Sequence, residues 1–140
     1  MGKMKFLGWA VDSKNTMKLK IDLIKAILLE IEADDLYPAP IEFDIEGYES
    51  NDVAYHIVLM EEAGLIRGVD VAVLDDREFS VERMTWEGHA FLANSKDETR
   101  WERLKKAVAT IGDVSFDAAK AGLAGMAHAA VATAIQSTLQ

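Results

Sequence analysis

Three histidines, 24 carboxylates and no cysteine are the side chains from which this chain must build any chemistry. Without cysteine there are no thiolate nucleophiles, disulfide staples or cysteine-based zinc sites, a composition that suits a reducing cytoplasm. His56 and His89 stand in patterned surroundings, whereas His128 sits in an alanine-rich run. On a helix His56 falls about 60° from Val53, beside the apolar stripe, so a hydrogen-bonded core or boundary histidine outweighs a ligand or a base. His89 is read in the same way. The carboxylates form a solvated face, and no pair stands apart as acid and base. The chain holds no glycine-rich phosphate loop, no His-Glu-x-x-His and no Gly-x-Ser-x-Gly. The expectation is a non-enzyme, with no catalytic residue, metal or cofactor.

Charge is the stronger signal. The net charge of −9 is concentrated between Asp34 and Glu82, where fourteen acidic residues face only Arg67 and Arg77. That segment carries −12, against +2 before it and +1 after it. Affinity for nucleic acid comes from Lys and Arg displacing counterions at phosphates, so such a surface is repelled by DNA and suits a basic protein.

The elements that would position these groups can be read in order. Residues 1–16 read as an amino-terminal arm or an alternative-start extension, with Met17 an equally good start, and are too short in apolar length for a signal peptide. Ile21, Ile24, Leu28 and Ile31, widened by Leu23 and Ile27, predict a helix over Met17 to Ala33. Ile41 to Tyr48 alternates apolar and acidic residues, the period of a strand. A second helix is expected over Ser50 to Ala63, with Ser50 as its N-cap and Gly64 as its stop. Leu65 to Leu74 and Glu78 to Met84 read as a hairpin turning at Asp75-Asp76-Arg77. Thr85 caps a short helix from Trp86 to Ala93, and Ser95 with Glu98 predicts a capping box before the next. That helix places Trp101, Leu104, Val108 and Ile111 on one face, and an alanine-rich helix follows from Ser115 to Ser137.

The stretch Val53-Ala54-Tyr55-His56-Ile57-Val58-Leu59-Met60-Glu61-Glu62-Ala63-Gly64-Leu65-Ile66 resembles the recognition helix and first wing strand of bacterial winged-helix regulators. Met84-Thr85-Trp86-Glu87-Gly88-His89 resembles the motif after their wing. A closer resemblance runs from Met17 to about Val114. The helix with Met17, Lys18, Asp22 and Leu23, the Ile45-Glu46-Gly47-Tyr48 turn, Val53 to His56, Thr85 to His89 and Asp97 to Trp101 are together similar to the DUF2513 family of bacterial and phage proteins. That resemblance implies a microbial source and leaves function open.

Element order and resemblance together predict an α+β, winged helix-turn-helix-like domain over residues 17–94, with a carboxy-terminal helical extension over 95–140 for dimerisation or core packing. The leading expectation is a cytoplasmic regulatory or adaptor module whose acidic helix and wing meet a protein partner. Ser50, Asn51, Tyr55, Val58, Glu62, Arg77 and Arg83 are its candidate contact residues. The alternative is a DNA-binding regulator in which Ser50, Asn51, Tyr55 and His56 enter a groove while Arg77 and Arg83 touch the backbone. It requires a basic patch, for which Lys18, Lys20 and Lys25 of the first helix, brought together across a dimer, are one source. A third reading is an acidic mimic of DNA. In the last helix Gly122, Gly125, Met126 and Ala129 lie on strips of small residues at spacing four, which favour pairing with a second copy over insertion in a membrane.

Overall fold

The computed structural model describes residues 18–34, 43, 45–73, 78–111 and 115–138. Helix α1 (Ile21–Ala33) buries Leu23, Ile24, Ile27, Leu28 and Ile31, the stripe its spacing predicts. Leu29 falls on the other side, 40% exposed. Helix α2 (Ser50–Glu62) packs against it through Val53, Ile57 and Met60. Glu49, not Ser50, is the N-cap, and no side chain caps this helix. Its far end is the expected glycine stop. With Gly64 at φ +80°, its N–H donates to the Glu61 carbonyl at 3.0 Å and that of Leu65 to Met60 at 2.9 Å.

The hairpin is present but fragmentary. Strand β1 (Ile66–Arg67) pairs antiparallel with β4 (Arg83–Met84), and β2 (Asp70–Val73) with β3 (Glu78–Ser80). These are two separate two-stranded ladders. Gly68 lies at the break, at φ +76°, so close to its neighbour that a Cβ would meet Glu82 Cβ at 2.4 Å. A left-handed residue interrupts strand pairing. The strand predicted over 41–48 is also missing from its described part. Phe43 and Ile45 lie outside any strand, and the chain turns at Glu46 and at Gly47, φ +89°. Ile45 is buried all the same, so its apolar position in the alternation records burial and not strand membership.

Beyond the hairpin the chain is helical. Helix α3 (Trp86–Ser95) is capped as expected by Thr85, whose Oγ1 accepts from Gly88 N at 3.0 Å. Helix α4 (Glu98–Ile111) starts not from Ser95, which is buried at the end of α3, but from Asp97, whose Oδ1 accepts from Arg100 N at 2.8 Å. Trp101 and Leu104 are buried, yet Ile111 is 69% exposed, because the predicted face outlasts the surface it packs on. Helix α5 (Phe116–Thr138) opens on Ser115, whose Oγ accepts from Ala118 N at 3.1 Å.

The expected α+β winged helix-turn-helix-like domain is therefore overturned. Five helices dominate the described residues, and the strands reach only two to four residues each. Helices carry the core. Leu23, Ile57, Leu65, Phe91, Trp101, Leu104 and Leu123 belong to one apolar cluster, so α4 and α5 share the interior of the preceding elements. The arm over 1–16 lies outside the described residues.

Candidate functional site

His56 is the residue most easily mistaken for a catalytic one, and its surroundings make it structural. The ring is fully buried. Nε2 accepts from the Lys20 backbone N–H at 2.9 Å, and Nδ1 donates to the Asp52 carbonyl at 2.9 Å. This pairing fixes the tautomer with its proton on Nδ1. The Lys20 ammonium also pairs with Asp52 Oδ2, so the start of α1 is clamped to the first turn of α2. Beside this clamp the Tyr48 hydroxyl is held above its ordinary pKa, first by burial and then by the Asp22 carboxylate. Both ring nitrogens of His56 serve folding.

A second of the three lysines expected to meet DNA is also occupied. Lys25 Nζ donates to the Ser95 carbonyl at 2.7 Å and lies 4.7 Å from the centre of the Trp101 ring. Of Lys18, Lys20 and Lys25, only Lys18 is exposed. The outward side of α2 presents Ser50, Asn51, Val58 and Glu62 to solvent with Tyr55 half-buried, and it bears no Lys or Arg. Arg83 is exposed on β4. Arg77 lies outside the described residues. The structure thus groups five of the predicted contacts on α2 and sets Arg83 apart on the hairpin.

Of the small residues in α5, Gly122, Gly125 and Ala129 face outward, and Met126 is half-buried. Ala119, Leu123 and Ala127 are the ones that bury. Met126 and Ala129 line a groove of about 490 Å3 against Arg100 and Arg103 of α4. From His128 to Thr138 every residue is exposed, including Val131 at 58% and Ile135 at 55%. By length and composition α5 could also cross a membrane, the one helix among the described residues of which this holds.

Sequence reasoning missed Trp86, which is 85% exposed at the first position of α3. Its backbone is held firmly. Thr85 Oγ1 donates to the Gly64 carbonyl at 2.6 Å while capping the helix, and a Cβ on Gly88 would fall 2.2 Å from the Leu65 carbonyl oxygen. The signal was available. Gly88, Phe91, Leu92 and Ser95 form the buried stripe of α3, and Trp86 falls opposite it by helical geometry. One helical turn on, exposed His89 lines a cleft of about 220 Å3 with Ile31, Glu32, Asp34, Glu82, Arg83 and Met84. Among the described residues no group of three or more His, Asp or Glu is placed to hold a metal ion.

A family model described as "Hypothetical protein (DUF2513)" matches residues 18–114. An uncharacterized protein of Haemophilus influenzae is 34% identical over 106 residues, which cover 74% of this chain and 90% of that protein. No solved structure matches. The chain belongs to the DUF2513 family.

Proposed function

We propose that this protein is a non-catalytic, cytoplasmic regulatory or adaptor module that recognises a basic protein partner through the acidic surface of its first half. The observation that carries this reading is charge: −12 between Asp34 and Glu82, with α2 bearing acidic side chains and no cation. Exposed Val58, half-buried Tyr55 and exposed Trp86 add apolar contact area among those carboxylates. Aromatic anchors in a charged rim are the usual make-up of a protein-binding surface.

DNA binding is the weaker reading, because Lys20 and Lys25 spend their charge inside the fold. The outward strip of α5 is proposed to pair with a second copy, with Val131 and Ile135 covered in the process. Fluorescence anisotropy against mixed DNA fragments at about 50 and 200 mM salt tests the partner class, since phosphate-driven binding collapses over that range. No binding at either salt is expected. Tight binding lost at the higher salt would replace a protein partner with DNA.

A further inference from the structure

We propose that Trp86 and the cleft beside it form a seat for an arginine side chain presented by the protein partner. This rests on the reading of a basic partner and locates the contact away from α2. A tryptophan 85% exposed on a backbone tied down by Thr85 and Gly88 contributes nothing visible to the core. It is instead an aromatic face open to solvent on a fixed backbone position, available to a partner.

The surroundings select what lies on it. Glu82, Asp34 and Glu32 line the cleft that His89 enters one helical turn on from Trp86, and Glu87 follows Trp86 in sequence. Against them stand Arg83 in the cleft and Lys96, which pairs with Glu32 at 2.8 Å. The balance of these side chains is negative, and among the described residues exposed Glu82 makes no ion pair. A guanidinium matches both halves of this site. Its flat face stacks on the indole while its N–H groups reach a carboxylate in a two-pronged pair. An ammonium cannot do both with the same geometry.

The test is a titration of the isotope-labelled full chain with a capped hexa-arginine peptide, followed by amide and indole NMR signals at about 50 mM salt. Hexa-lysine and hexa-glutamate serve as comparison peptides, and Trp86→Phe assigns the indole signal. Saturable shifts are expected at the Trp86 indole and at the Glu82, Met84 and His89 amides, with hexa-arginine binding more tightly than hexa-lysine. Trp86→Ala should weaken binding roughly three- to thirty-fold, the range of a cation over an aromatic face. Glu82→Gln should weaken it too, and neither exposed substitution should disturb the rest of the spectrum. Equal affinity for hexa-lysine, unchanged by Trp86→Ala, would overturn the arginine seat. Shifts confined to Asn51, Tyr55 and Val58 would overturn it while leaving the basic-partner reading intact. Absence of binding by either cationic peptide would remove both.

Discussion

Replacing Thr85 by valine removes a hydroxyl at almost constant shape, and the structure assigns that hydroxyl two jobs. It accepts from Gly88 N at 3.0 Å as the cap of α3, and it donates to the Gly64 carbonyl at 2.6 Å, joining the end of α2 to the start of α3. The residue is only 8% exposed, so water cannot readily substitute. Loss of an N-cap costs about 1 kcal/mol. The donated bond adds about 1 kcal/mol more, with the half-buried Gly64 keeping that contribution near the middle of its range. Thr85→Val should therefore destabilise the fold by about 2 kcal/mol. Thr85→Ser keeps both bonds and forfeits one methyl group, about 0.8 kcal/mol of transfer free energy. Urea unfolding followed by circular dichroism measures both variants, read as midpoint shifts at an unchanged slope. A serine variant less stable than the valine variant would refute the reasoning, because it would assign the value of Thr85 to its methyl group.

Three further outcomes follow from the same structure. His56→Leu should cost about 1–3 kcal/mol, because the Lys20 N–H loses its acceptor, and hydrogen exchange at that amide should accelerate; wild-type stability would contradict the clamp. Gly88→Ala should cost about 1–3 kcal/mol by overpacking against the Leu65 carbonyl, whereas Gly125→Ala, with open space at its Cβ, should be neutral or stabilising in urea unfolding of the monomer. Sedimentation equilibrium should find a dimer of the native chain, converted to monomer by Gly125→Leu on the exposed strip of α5; a native monomer up to about 100 µM, a weak-affinity limit, would end the pairing proposal.

Helices were legible where the apolar period was strong. The stripe of α1, the glycine stop of α2 and the Thr85 cap all stand as the residues predict. Strands misled, because alternation reports which side chains bury and not whether the backbone joins a strand. Phe43 and Ile45 illustrate this, since they pack on the core without entering a strand. Gly68 illustrates the other failure: a single left-handed residue divides what reads as one long hairpin. The candidate site was half legible. The stripe position identified His56 as a core residue, whereas counting charges did not foresee that Asp52 would be buried and paired with Lys20. That Lys20 and Lys25 are consumed internally depends on contacts 32 and 70 residues away in sequence, which no local pattern encodes.

Site-specific photocrosslinking in the native cell, with a benzophenone amino acid in place of Val58 or Trp86, tests the central claim most directly. Both positions are exposed, so the fold should tolerate the probe. The account predicts adducts to a protein, with the crosslinked segment rich in arginine and lysine. Crosslinks to nucleic acid, or to an acidic protein segment, would contradict it.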